Sequence, residues 1–127
     1  MNENNISISL PLPHLEVDRA KMDAVSNDLR SEKVNFELKG VTPYPVCESW
    51  VEIVLDIAKF MVAAGAGHYA SKLYAMLDAA TKSGITKFNA ILKRGAKEVH
   101  CDIPRNDKDE AIRILTEALE KLKDESN

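Results

Sequence analysis

Two stretches near the start of the chain alternate apolar and polar residues, as strands with one buried face do. Residues 6–12, ISISLPL, set isoleucine and leucine against serine and proline, and residues 33–40, KVNFELKG, alternate in the same way. Between them, apolar residues keep a largely helical spacing at Leu15, Met22, Val25 and Leu29. Segment 6–40 therefore predicts a β-α-β unit.

The longest apolar segment runs from Trp50 to Ala80. Its apolar residues recur every three or four positions, and this spacing does not break at Gly65 and Gly67. The pattern predicts one long helix within residues 48–83, roughly 45 Å long at 1.5 Å per residue. Glu48 and Ser49 suit the start of such a helix, and Gly84 suits its C-cap.

The remainder of the chain predicts a hairpin and a final helix. Residues 87–104 contain two alternating runs around Gly95, and residues 107–124 carry a helical stripe of alanine, isoleucine and leucine. The order β-α-β-α-β-β-α predicts a single α+β domain over residues 1–127. Its four-stranded sheet is backed by helices, among them the long central helix with alanine and glycine.

Composition excludes some classes of function. The 127 residues are 45% hydrophobic and 29% charged, with a formal net charge of -3. This is ordinary for a soluble domain, and a generic nucleic-acid binder would show a more basic balance. No segment is apolar for long enough to predict a membrane span. Two isolated cysteines and an N-terminus without a basic, apolar leader predict a cytoplasmic protein.

The sequence GAGHYA raises the possibility of a nucleotide site. Gly65, Gly67 and Ala70 match the G-x-G-x-x-A spacing of a dinucleotide-binding turn. The unbroken helical stripe argues against that alternative, because a strand-turn-helix would reset its phase. Only about 50 residues follow, too few for the further β-α-β repeats of such a domain. A nucleotide-binding enzyme is therefore the least favoured hypothesis.

Small residues on the predicted helix favour a packing surface instead. They leave a shallow groove next to an apolar stripe, and a helix longer than the core would protrude and expose that stripe. We therefore expect a homodimer or another protein partner, bound through Ala63, Ala66, Gly67, Ala70, Tyr69 and Leu73.

Acidic residues define a second hypothesis. Glu48, Glu52 and Asp56 are spaced by four, so on a helix they would form one acidic face. Such a face, or Glu98 with Asp102, suits a bacterial immunity or antitoxin-type protein that masks a basic toxin surface. This is the alternative to the interaction module.

No group of residues predicts catalysis or metal binding. On a strand, His100 and Cys101 point to opposite faces, so the histidine does not activate the thiol. His68 is expected to be buried and hydrogen-bonded, and the histidines and cysteines form no metal pattern. The sequence predicts a non-catalytic interaction or oligomerisation module without cofactor, metal or small-molecule substrate.

Overall fold

The computed structural model describes residues 5–11, 15–34, 36–42, 50–56 and 65–122, with the backbone alone at 38–42, 50 and 51. The class is α+β, as predicted. Within these residues five strands and three helices follow one another: β1 (Ile6–Pro11), α1 (Arg19–Ser31), β2 (Phe36–Thr42), β3 (Trp50–Leu55), α2 (Ala66–Ala80), β4 (Lys87–Arg94), β5 (Lys97–Pro104) and α3 (Lys108–Leu122).

The strands form one antiparallel sheet in the order β2-β3-β1-β4-β5. Strand β1 is central, and its Ile8 lies opposite Ile53 on one side and Leu92 on the other. The first six elements have the split β-α-β connectivity of ferredoxin-like domains, which β5 and α3 extend. Unrelated functions share this connectivity, so it identifies no activity by itself.

The predicted helix over residues 48–83 is wrong in its first part. Trp50–Leu55 is a strand, which makes five strands rather than four, and α2 begins only at Ala66. A spacing of four, as between Val51 and Leu55, fits both a helical period and a strand period of two. The β-branched content of WVEIVL and its place between β2 and β1 favour the strand. The predicted helix start at Glu48 and Ser49 lies outside the described residues.

Helix α2 is short and well closed at its C-terminus. Its 15 residues span about 22 Å rather than 45 Å. Thr81 leaves the helical conformation and its hydroxyl donates back to the Leu77 carbonyl. The backbone N–H groups of Glu16 and Asp18 donate to the last helical carbonyls, at 2.9 and 2.8 Å. Gly84, the predicted C-cap, lies in the turn beyond.

The hairpin of β4 and β5 is confirmed. Its two central turn residues are Gly95 and Ala96, and Gly95 has φ +60°, a left-handed conformation that costs glycine little. Helix α3 also begins where predicted, because the Asp107 carboxylate accepts a hydrogen bond from the Glu110 N–H.

The core lies between the helices and one face of the sheet. Because side chains alternate along a strand, Ile8, Phe88 and Leu92 point into the core. There they pack against buried side chains of all three described helices. No helix within the described ranges is long and apolar enough to cross a membrane. The alternate residues of each strand point away from this core and form the second face of the sheet.

Candidate functional site

Most of the predicted packing residues of α2 lie inside the chain's own core. Four of them are at most 3% exposed: Ala66, Tyr69, Ala70 and Leu73. Ala63 lies outside the described residues. Because α2 is short, the protruding stripe from which the dimer was predicted does not exist at these positions. The groove is filled within the monomer, chiefly by α3.

Gly67 lies at the contact between α2 and α3. It is exposed, and a Cβ built on it would meet the Thr116 hydroxyl oxygen at 3.9 Å, an ordinary van der Waals distance. The groove predicted from the small residues therefore does not require glycine at this position.

The turn before α2 differs from the sequence expectation of an unbroken helix. Gly65 is its N-cap, with φ 86° and ψ 153°, a backbone region open almost only to glycine. Among the described residues, β3 ends at Leu55 and α2 begins at Ala66, directly after Gly65. The neighbour of β3 toward β4 is the antiparallel β1, whereas a dinucleotide fold places parallel strands side by side.

Charged side chains join α1 to the first turns of α2, and Asp28, Glu32, His68 and Lys72 form what we term the ionic cluster. Glu32 accepts from His68 Nε2 at 2.6 Å and lies 2.9 Å from Lys72 Nζ, which also donates to Asp28 at 2.6 Å. The hydrogen bonds from His68 and Lys72 lower the pKa of Glu32. Burial alone would lower the pKa of Lys72, but its two carboxylate partners outweigh burial and raise it.

The ionic cluster corrects the expectation for His68. Its side chain is 41% exposed rather than buried, and its ring meets the Tyr69 ring edge-on at 4.9 Å between centroids. Each charged group of the cluster has an opposite partner, and the anionic Glu32 stands beside the first turn of α2. An anion at that position makes the turn a poorer site for a phosphate.

The second face of the sheet carries a different set of residues, which we call the polar sheet face. Its centre is formed by Ser7, Ser9, Val54 and Ile91, and its rim by charged side chains at Glu37, Glu52, Lys93, Glu98, His100 and Asp102. No element of the described part of the chain packs on this face. Three of the central side chains, Ser7, Val54 and Ile91, are nevertheless half-buried, and the fourth, Ser9, is only 7% exposed.

The hairpin part of this face is organised by Glu98. It accepts from His100 Nε2 at 2.6 Å, with Lys93 Nζ 3.7 Å away, and the hydrogen bond from His100 lowers the pKa of the Glu98 carboxyl. A shallow depression of about 240 Å³ lies beside them, lined by Asn89, Ala90, Ile91, His100, Cys101 and Asp102.

The face assignment made for β5 from its sequence is confirmed. Cys101 and Ile103 are buried in the core while His100 and Asp102 are exposed. Burial raises the pKa of the Cys101 thiol, which makes it a poor nucleophile. His100 and Cys101 thus lie on opposite sides of the sheet, as expected.

The predicted acidic face of three residues does not form on a helix. Glu52 lies on β3, opposite Ser9, and belongs to the polar sheet face. Asp56 follows the strand. Burial raises the pKa of the Tyr69 phenol most, Glu32 adds to this, and Asp56 contributes a smaller increase. Glu48 lies outside the described residues. Glu52 and Asp56 therefore lie in different surroundings, and they do not form the single acidic surface that their spacing of four suggested.

Within the described ranges, no three histidine, cysteine or acidic residues are grouped so that they could hold a metal ion. Comparisons with protein-family models, with curated proteins and with solved structures find no match to this chain. The polar sheet face and the ionic cluster are thus the features from which function can be argued.

Proposed function

We propose that this chain is a non-catalytic protein-interaction module that forms a homodimer through the polar sheet face. The observation that supports the proposal is the one-sided arrangement of the fold. All three helices pack on one face of the sheet, and the other carries half-buried aliphatic side chains, Val54 and Ile91, within a charged rim. Aliphatic side chains enclosed by a polar, charged rim are the usual anatomy of a protein interface, and on this face the aliphatic pair shares the centre with Ser7 and Ser9.

The rim of this face carries charges of both signs, with acidic residues in the majority. Acidic residues such as Glu37 and Asp102 share the face with basic Lys93, and Lys93 and Glu98 already form a pair. A surface of both signs can match itself under a two-fold rotation, whereas a surface of one sign would repel its own copy. Because four of the six rim residues are acidic and one is a lysine, the same face would also suit a basic protein surface, and a basic partner is the alternative occupant.

The depression between β4 and β5 suits a protein side chain. Its volume of about 240 Å³ lies below the roughly 300–1,000 Å³ of pockets that hold small-molecule ligands. Ile91 lies on its wall and at the centre of the face, so substituting Ile91 tests the depression and the interface together.

The test measures solution mass by light scattering and sedimentation velocity from low to high micromolar concentration. We expect the wild type to dimerise and Ile91→Lys to remain monomeric with an unchanged circular dichroism spectrum. Val17→Lys is the matched control, because Val17 is 39% exposed in the connection before α1. It should dimerise like the wild type.

Two outcomes would contradict the proposal. A wild type that remains monomeric at high micromolar concentration would remove self-association altogether. A dimer that survives Ile91→Lys but dissociates in Gly67→Leu would move the contact to α2, where the small residues of the sequence first suggested it.

A further inference from the structure

Helix α1 is much less buried than the other two helices. Leu29 is its one fully buried side chain, whereas α2 buries eight residues and α3 buries five, each out of fifteen. Met22 and Val25 are only partly buried against the core. Among the described elements α1 packs mainly on α2. Apolar contact therefore holds α1 more weakly than it holds α2 or α3.

Ion pairs supply much of the remaining attachment. Near the start of α1, Lys21 lies 3.3 Å from Asp78 of α2, and near its end Asp28 and Glu32 both contact Lys72. These pairs and the hydrogen bond from His68 to Glu32 make up the ionic cluster plus the Lys21–Asp78 pair. We call this larger set the ionic latch. Most of its side chains are 28–56% exposed, so dissolved salt can screen them.

The two ends of α1 are fixed by contacts that do not involve the helix itself. Before it, the N–H groups of Glu16 and Asp18 donate to the Ala80 and Ala79 carbonyls of α2. After it, Val34 is 1% exposed in the core. These contacts lie outside residues 19–31, so loss of the contacts between α1 and α2 would not by itself break them.

We propose that α1 is a displaceable strap that opens from α2 as one unit while the sheet, α2 and α3 remain folded. Salt favours the open form because it weakens the ionic latch. Opening exposes Leu29 and the side of α2 that α1 covers. This newly exposed surface is apolar, unlike the polar sheet face. The opening of α1 involves contacts within one chain and requires no dimer.

Native-state hydrogen exchange, read by mass spectrometry on peptides of the full chain, tests the strap. Exchange is compared at fixed neutral pH between about 0.01 M and about 1 M sodium chloride, where the Debye length falls from roughly 30 to 3 Å. We expect the amides of residues 20–31 to exchange roughly three- to tenfold faster at high salt. Those of α3 should keep their rate and serve as the internal reference.

A matched pair of variants separates the latch from a general effect of charge. Lys72→Met removes the two contacts to Asp28 and Glu32 and should speed exchange of α1 already at low salt. Arg113→Met removes two ion pairs that lie within α3, to Glu110 and Glu117, and should leave α1 unchanged.

The strap is wrong if residues 20–31 exchange at the same rate as α2 and α3 at both salt concentrations. It is equally wrong if Lys72→Met accelerates all three helices together. If that variant fails to fold, the salt comparison on the wild type still decides the question, because it needs no substitution.

Discussion

Arg105 holds Asp78 through two nitrogens that converge on one carboxylate oxygen. Its Nε donates to Oδ1 at 3.0 Å, and one terminal nitrogen lies 2.9 Å from the same atom. The guanidinium also donates to the carbonyls of Asp78, Ile85 and, more weakly, Thr81, and to that of Lys82. One side chain from beyond β5 thus joins the last turn of α2, through the Asp78 carbonyl and carboxylate, to the turn that follows the helix.

Arg105→Met should destabilise the fold by about 2–4 kcal/mol, because partly buried carbonyls lose their donor and the Asp78 carboxylate keeps only the more exposed Lys21 as a described partner. The Arg105 side chain is 10% exposed and lies over the Phe88 ring at 5.4 Å. Arg113→Met is the control, since Arg113 is 54% exposed, and should cost much less than Arg105→Met. Urea unfolding measures both variants. Equal losses would mean that Arg105 contributes only an ordinary surface charge.

Acid should weaken the fold through Asp78 and Glu32. Burial would raise the pKa of Asp78, but Arg105 and Lys21 outweigh it and hold that pKa below 3.8. Glu32 is held below 4.5 by His68 and Lys72. A carboxyl with a depressed pKa stabilises the folded state above its unfolded pKa, and the contribution is lost as pH falls through the folded value.

The urea midpoint should therefore fall as pH drops below about 4.5, and Asp78→Asn and Glu32→Gln should each flatten that fall. Asp23→Asn, at an exposed site on α1, is the matched control and should leave the pH profile unchanged. Profiles that remain as steep as that of the wild type in both test variants would assign the acid sensitivity to other carboxyls.

Part of the fold follows from local periodicity and part does not. Strands β1, β4 and β5 and helix α3 were predictable because their apolar residues fit one period and not the other. Strand β3 was not, since the spacing between Val51 and Leu55 satisfies both periods. The strand is favoured by its pairing with β1 and β2, and those partners are distant in the sequence.

The contacts that define the sites were less predictable still. Glu32 meets His68 across 36 residues, and Arg105 meets Asp78 across 27. No spacing rule links such residues, because only the packing of α1, α2 and the segment after β5 brings them together. Neighbours on one strand, such as Glu98 and His100, share a face by alternation and could be assigned from sequence.

We expect no binding of NAD(P) or ATP at the GAGHYA turn. The turn contains Gly65 at positive φ, but Glu32 stands beside the first turn of α2 and Lys72 is already paired with two carboxylates. Isothermal titration calorimetry should show no saturable heat at micromolar protein. Micromolar affinity that disappears in Gly65→Val would overturn this expectation and restore the nucleotide hypothesis.

The two glycines of the same motif should respond oppositely to alanine. Gly65 has φ 86° and ψ 153°, so Gly65→Ala should cost about 1–3 kcal/mol in backbone strain, even though a Cβ there meets nothing within 4 Å. Gly67 is helical with room for a Cβ, so Gly67→Ala should be neutral or stabilise by up to about 1 kcal/mol. Thermal and urea unfolding of both variants measure the difference. A stabilised Gly65→Ala variant would mean that the turn before α2 does not hold this conformation in solution. A strongly destabilised Gly67→Ala variant would mean that α3 packs more closely on α2 than the 3.9 Å contact with Thr116 indicates.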